Sequence, residues 1–341
     1  MGNGGNVRKL LLLRGTVGSG KSTLVSDLGL DDYTLSSDKI RIMIGSRELT
    51  SDGFRLPHSV NKQTYDILHS LLEERMKRGE FTVVDAVNSD FNSCKYYANL
   101  ASKYRYEIAY YQIDKSLKEC LEVNKNREYF KKVNNDKVIK FHKTINKSDL
   151  PFKRIYDIDK YIDDVNVYKL DNYKKVIVIG SLDGKFDRLD KILAEFRDDI
   201  KYIFLGNYFQ SIDLCSDIKS YWLDRLLDLR DRENVVMLEG SRDSLLADKF
   251  RDKLLDCYLF KMNNYIYFCN SGGLPYMPER LNLISSYQLI NGACDNPTSL
   301  WEMNSSKNKG IVQIHCGKKG YETRNSYCLG TLDRVVISRA K

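Results

Sequence analysis

One stretch of the chain has the residue types and spacing to hold phosphate. Gly15-Thr16-Val17-Gly18-Ser19-Gly20-Lys21-Ser22 fits the pattern G-x-x-x-x-G-K-S/T throughout, and Thr23 comes directly after it. Glycines let such a loop wrap with its amide N–H groups aimed at phosphate oxygens, and the helix after it adds its positive end. The Lys21 ammonium would neutralise transferring oxygens and the Ser22 hydroxyl would ligate magnesium, so ATP or another nucleoside triphosphate with Mg2+ is the expected cofactor pair. The motif requires a strand before it and a helix after it. The run Leu10–Leu13 and the helix-compatible segment Ser22–Leu28 meet that requirement.

A phosphate loop identifies a donor, and the acceptor must be read from residues further along the chain. In Ser36-Ser37-Asp38-Lys39-Ile40-Arg41 a carboxylate and a guanidinium stand three residues apart, neighbours on one face of a helix that either serine can cap. Asp38 could take the proton of an attacking hydroxyl, and Arg41 could clamp an acceptor phosphate. The plainer reading is an aspartate favoured by the helix dipole and a surface arginine. Asp85, at the end of the run Val83-Val84-Asp85-Ala86-Val87-Asn88, reads as a magnesium-side carboxylate or a hydrogen-bond organiser, and Asn88 lies close by. Arg127 could stabilise charge developing on the transferred group.

The charge of the chain supports a polyanionic partner more by its distribution than by its total. Fifty-four Lys and Arg against 46 Asp and Glu leave +8 over 341 residues. Between Lys115 and Arg154 twelve basic residues face five acidic ones, in a pattern that reads as a basic helix pair. Such a run is often only a solvated face; beside a phosphate loop it favours a polyanion contact. The 38 aromatics, 23 of them tyrosine, suit base stacking as well as ordinary packing.

The elements that must position these residues recur at regular intervals. Apolar runs at Leu10–Leu13, Thr34–Leu35, Phe81–Val84 and Ile108–Ile113 alternate with helical patterns, which predicts βα units and a parallel sheet. A second series, at Val176–Ile179, Tyr202–Leu205, Val235–Leu238, Tyr265–Cys269, Ile311–Ile314 and Val335–Ile337, predicts one further sheet. The length suits two domains, and the polar stretch Asp157–Lys175, without proline or glycine, places a compact joint near residue 172. The fold class expected is α/β, with domains at 1–172 and 173–341.

Composition excludes several classes. No run approaches the roughly 20 apolar residues of a membrane-spanning helix. The start Met-Gly-Asn-Gly-Gly-Asn has no signal-peptide core, and Asn6 stands where myristoylation prefers Ser or Thr, so the chain reads as intracellular. The eight cysteines form no C-x-x-C pair and read as reduced thiols. His58, His69, His142 and His315 form no metal-ligand pair at helical spacing.

The first 170 or so residues resemble the 5′-hydroxyl polynucleotide kinases, particularly the kinase module of bacterial and phage RNA-repair enzymes. The likeness rests on Gly15–Ser22, Ser37-Asp38-x-x-Arg41, Val84-Asp85-Ala86-Val87-Asn88 and the lid-like Cys120-Leu121-Glu122-Val123-Asn124-Lys125-Asn126-Arg127. It implies a general base at Asp38, an acceptor-phosphate ligand at Arg41 with Ser37, Asp85 and Asn88 on the acceptor side, and 5′-hydroxyl RNA or DNA ends as partners. An RNA ligase to complete repair and a bacterial or phage-infected cytoplasm come with that likeness. The family's lid commonly carries two arginines four apart; here the second is Arg127 and the first is Val123, so either Arg127 suffices, or a nearby lysine such as Lys125 compensates, or transfer is slow.

From Val176 onward the sequence is similar to calcineurin-like metallophosphatases, whose metal ligands lie at strand ends. Those positions hold Ser181 and Asp183, Asn207 and Gln210, Ser241 and Arg242, and Ser271, with His315 kept. Two metals need several carboxylate or imidazole ligands, so the resemblance implies a phosphatase-type α/β sandwich without phosphatase activity. Its altered pocket, with Lys318 and Lys319 beside it, would bind RNA or make a dimer surface. An unrelated α/β domain is the alternative there. The pair Asp157-x-Asp159 only superficially matches the haloacid-dehalogenase nucleophile motif. Two other readings of the whole stay open: a P-loop kinase of a small metabolite, and a nucleotide-gated RNA-binding scaffold without chemistry, for which Val123 speaks.

Overall fold

The computed structural model describes residues 8–50, 53–127, 131–209, 216–246, 248–317 and 321–340. They form two compact units, Arg8–Asp164 and Val165–Lys341. Gln210, Lys318 and Lys319 lie outside the described residues.

The N-terminal unit runs β1 (Lys9–Arg14), α1 (Lys21–Asp27), β2 (Thr34–Ser36), α2 (Ser37–Ile44), a hairpin of β3 (Glu48–Thr50) and β4 (Gly53–Arg55), α3 (Asn61–Lys77), β5 (Thr82–Asp85), α4 (Phe91–Lys103), β6 (Glu107–Gln112), α5 (Leu117–Asn126), α6 (Asn135–Lys147), β7 (Lys153–Ile155) and α7 (Ile158–Asp163). Five strands make a sheet in the order β2-β5-β1-β6-β7, with every pairing parallel. β1 is central and all six of its residues are buried, which is why Leu10–Leu13 is apolar without alternation. Leu10 and Leu12 pack with Leu68, Leu72 and Met76 of α3 and with Cys94, Tyr97 and Leu100 of α4. Asp90 and Ser116 open α4 and α5 with reciprocal capping boxes, which fixes where each helix leaves its strand. Because the sheet is parallel, the loops after β1, β2 and β5 gather at one edge, the usual place for a ligand in such a fold.

The C-terminal unit contains two sheets, where the strand series taken alone predicts one. Its elements are β8 (Val167–Lys169), β9 (Lys175–Ile179), α8 (Phe186–Ala194), β10 (Ile200–Phe204), α9 (Ser216–Arg230), β11 (Val235–Met237), α10 (Asp248–Arg251), β12 (Cys257–Met262), β13 (Tyr265–Asn270), α11 (Ser286–Asn291), α12 (Pro297–Met303), β14 (Val312–Cys316), β15 (Tyr321–Glu322), β16 (Ser326–Leu329) and β17 (Arg334–Ser338). The sheets run β11-β10-β9-β17 and β15-β16-β14-β13-β12-β8. Val176, Val178, Ile203 and Leu205 of the first share a core with Phe260, Met262, Cys269 and Ile314 of the second. Residues of α8, α9 and α10 pack with the first sheet, and Leu289 of α11 and Trp301 of α12 with the second, giving helix, sheet, sheet and helix layers.

The joint lies between Asp164 and Val165, earlier than residue 172. β8 pairs in parallel with β12, so Val167–Lys169 already belongs to the second unit's sheet. β12 itself escaped the apolar pattern. It meets β13 through the two-residue turn Asn263-Asn264, both with positive φ (53° and 66°), a turn that asparagine tolerates.

Candidate active site

The phosphate loop is built as its sequence requires. Gly18 (φ 83°) and Gly20 (φ 101°) adopt the left-handed backbone that other residues resist. Gly18 also meets α5: a Cβ there would stand 2.6 Å from the Cys120 carbonyl oxygen. The Lys21 ammonium donates to the carbonyls of Gly15 (2.7 Å) and Thr16 (3.1 Å), closing the loop on itself. Burial lowers its pKa; the Asp85 and Asp38 carboxylates pull it back up and the Arg127 guanidinium opposes them.

Ser22 Oγ donates to Asp85 Oδ2 at 2.8 Å, joining the first turn of α1 to the end of β5. A hydroxyl and a carboxylate at one point are hard oxygen donors of the kind Mg2+ takes, so these residues fit that ion. On α2, Asp38 Oδ1 accepts from Arg41 Nη1 at 2.6 Å, and Arg41 Nε and Nη2 both donate to Asn61 Oδ1, at 3.1 and 2.9 Å.

These groups share one cavity of about 610 Å³. Val17, Gly18, Gly20, Lys21, Ser22 and Thr23 line it together with Ser37, Asp38, Arg41, Asp85 and Arg127. Arg127, just past α5, donates to the Lys131 carbonyl at 2.9 Å. Val123, which stands at the first arginine position of the lid motif it resembles, is also in the wall, whereas Lys125 is not among the lining residues. Lys131, Lys137 and Lys140 line the cavity instead, with Asn61, Tyr65 and Phe141. The sequence reading missed these six: their signal was only the density of basic residues and one helix face.

Besides Lys125, four of the residues singled out in the N-terminal unit do not line this cavity. Thr16 faces a separate space of about 300 Å³ bounded by Asp114, Lys115, Ser116, His142 and Asn146. Gly15 and Ser19 pack within the loop, where a Cβ on Gly15 would meet Ser19 Oγ at 2.5 Å. Asn88, buried at φ 48°, sends its amide to the carbonyls of Leu13 (2.8 Å) and Val84 (3.4 Å), tying β1 to β5. Arg14 completes that tie. Fully buried, it donates to the carbonyls of Asn88 (3.2 Å), Ser89 (2.8 Å) and Ser148 and to Gln112 Oε1 (2.6 Å).

In the C-terminal unit, most of the strand-end residues singled out bond to one another. Asp183 is ion-paired to Arg242 and accepts from Ser181 Oγ (2.9 Å) and Thr331 Oγ1 (2.6 Å). Asn207 Oδ1 accepts from Ser241 Oγ (3.2 Å) and the Arg242 amide (3.1 Å). Asp243, buried beside them, takes the amides of Gly240 (2.7 Å), Asn207 (2.8 Å) and Tyr208 (2.9 Å). Burial still pushes its carboxyl up to about 7 against those donors. His315 is buried between Thr298 Oγ1 (2.9 Å) and the Cys316 carbonyl (2.8 Å), which burial keeps below its ordinary pKa, and the Ser271 carbonyl holds the Cys316 amide at 3.0 Å. Among the described residues no three His, Cys, Asp or Glu side chains come together to hold a metal ion. Nor is any described helix long and apolar enough to cross a membrane.

A family model described as an AAA domain matches residues 10–146. A DNA repair and recombination protein RAD54-like of Drosophila virilis is 29% identical over 154 residues, 43% of this chain but only 17% of that protein, so the match spans less than a fifth of the relative's length. Among solved structures, a chain of the Pnkp1/Rnl/Hen1 RNA repair complex aligns over 95% of this chain and 96% of its own, at 15% identity and a TM-score of 0.36. A gluconokinase from Sinorhizobium meliloti aligns over 44% of this chain and 83% of its own, at 15% identity and a TM-score of 0.28. The parallel sheet, the loop and helix after its central strand and the AAA-domain match give the N-terminal unit a P-loop kinase-type fold, followed by a second α/β unit of mixed sheets.

Proposed function

We propose that the N-terminal unit is an ATP-dependent kinase for the 5′-hydroxyl ends of broken polynucleotides, RNA in preference to DNA. The observation that carries this reading is the shared cavity, in which Asp38 and Arg41 face the same space as Lys21 and the Ser22–Asp85 pair. Lys21 and the loop amides hold the β- and γ-phosphates of ATP. Ser22, with Asp85 behind it, holds Mg2+, which when bound draws charge from the phosphate oxygens. Asp38 takes the proton as the acceptor oxygen bonds to the γ-phosphorus and the bond to the β,γ-bridging oxygen breaks, leaving ADP. Arg41 orients an acceptor phosphate and Arg127 faces the charge that develops. Three cavity lysines beside Arg127 suit an acceptor with an extended backbone better than a sugar or nucleoside.

The C-terminal unit, on this proposal, is a calcineurin-like sandwich without phosphatase chemistry. Its support is that Asp183 and Asn207, at two of the strand ends where metal ligands would stand, are engaged by Arg242 and Ser241. RNA binding, self-association and an RNA ligase as repair partner belong to the same proposal.

Labelled ATP incubated with 5′-hydroxyl oligonucleotides, beside a panel of nucleosides and sugars, tests the kinase. Transfer to oligonucleotides that is lost in Asp38→Ala is expected. No transfer to any acceptor would overturn it, and preferential transfer to a small molecule would move the function to a metabolite kinase. Val123 in the cavity wall is the observation that favours a non-catalytic RNA binder, which would bind RNA tightly without ATP and without turnover.

A further inference from the structure

We infer that Tyr65, His69 and Tyr96 form a stacking site for the nucleobases beyond the reacting end of a single-stranded acceptor, an inference that rests on the polynucleotide reading of the cavity. The three rings stand in file. Tyr65 and His69 are one turn apart on α3, with ring centres 6.2 Å apart; His69 lies 3.9 Å from Tyr96 of α4, nearly parallel to it at 19°. Beneath them the buried Tyr97 meets His69 edge-on at 5.6 Å and 75°, which fixes the middle ring.

The file begins in the cavity. Tyr65 shares its wall with Asp38, Arg41 and Asn61, the groups that would receive the acceptor end. It ends at the surface, with Tyr65 37% and Tyr96 39% exposed. Packing between α3 and α4 does not need these outer rings, because Thr64, Leu68, Leu72 and Met76 on α3 and Cys94 and Tyr97 on α4 are already buried. Burial lowers the pKa of His69, opposed by the Asp66 carboxylate, which favours the neutral ring. Lys62 precedes Tyr65 by three residues and Lys95 adjoins Tyr96, both exposed, and they supply cations for a backbone that Asp66 alone would repel.

Every base has a π-face, so a row of rings beside a fixed guanidinium binds single strands without choosing their sequence. Arg41 would hold the phosphate next to the reacting end while the bases beyond it stack outward. Tyr96 is not among the residues lining the cavity, so a nucleoside 3′-phosphate held there would not need its ring.

The test compares a nucleoside 3′-phosphate with a 5′-hydroxyl hexanucleotide as acceptors for the full chain. Tyr96→Ala is expected to raise KM for the hexanucleotide about tenfold, the effect of losing one stacked base. Its kcat and its KM for the nucleoside 3′-phosphate should match wild type, which also shows that the variant folds, and Tyr96→Trp should restore the hexanucleotide KM. An unchanged hexanucleotide KM in Tyr96→Ala would overturn the stacking site while leaving the kinase intact. If wild type transfers no phosphate, the kinase reading fails separately, and binding decides the site: wild type should bind a hexanucleotide more tightly than its abasic counterpart, by a margin that Tyr96→Ala removes. Equal affinity for the two would overturn it.

Discussion

Arg41 and Asp38 are joined at 2.6 Å, yet the two side chains differ in exposure, 8% for the cation and 46% for the anion. Asn61 Oδ1 accepts two further guanidinium N–H groups, so Arg41 is held from both ends of its fork. The arginine is thereby locked while the carboxylate stays open to the cavity, the division expected of a positioned clamp and an accessible base.

Arg41→Lys should therefore act as a loss and not a conservative change, because an ammonium cannot satisfy Asp38 and Asn61 in the planar geometry of a guanidinium. On the kinase reading the acceptor KM rises by about tenfold or more, a loss on the scale of one charge-assisted hydrogen bond, while the KM for ATP is unchanged. Steady-state kinetics with each substrate varied in turn separates the two.

Asp38→Asn keeps the size of the side chain and removes the proton acceptor. Its kcat should fall by about 10²- to 10⁴-fold, the usual contribution of a general base. Ser22→Ala and Asp85→Asn should instead raise the Mg2+ concentration needed for half-maximal rate, and their double variant should lose less than the two single effects combined, since Ser22 and Asp85 share one hydrogen bond.

Val123→Arg should speed transfer if the cavity wall is short of one cation, whereas Lys137→Ala and Lys140→Ala should slow it. Single-turnover rates at saturating ATP measure this step without contributions from product release. Equal rates in all three variants would remove the lid cations from the reaction.

The C-terminal unit should lose stability as pH rises. The Asp243 carboxyl is raised from 3.8 to about 7 in the folded chain. Between those values the folded state binds the proton that the unfolded state has released, so its stabilising effect is complete below about pH 4 and is lost as pH climbs through about 7. Thermal unfolding of the full chain at pH 5.5 and pH 8 should show the C-terminal transition at the higher temperature in acid, with the slope diminished in Asp243→Asn.

Much of the N-terminal unit is legible in its sequence, because a parallel sheet buried on both faces forces unbroken apolar runs such as Leu10–Leu13 and a phosphate loop forces glycines at fixed positions. Asn88 shows where such reading stops. Its place after a strand-end aspartate suggests contact with substrate, whereas in the fold its amide N–H groups are used up on the Leu13 and Val84 carbonyls. Lys137 and Lys140 were hidden for a different reason: a basic helix announces its charge and not which turn faces a cavity. The apolar runs of the second strand series do not by themselves say which strands share a sheet, because pairing partners leave no mark on a strand's own hydrophobic pattern.

The buried guanidinium of Arg14 has a dynamic consequence. It gathers the carbonyls of Asn88, Ser89 and Ser148 at the end of β1, so β1 and two segments distant from it along the chain are tied through one side chain. Opening any one of them strands a charge away from water, a cost far above that of ordinary fraying. Amide protons of β1, of the turn after β5 and of the segment following α6 should therefore exchange with deuterium as a single cooperative block, at the free energy of unfolding the whole unit.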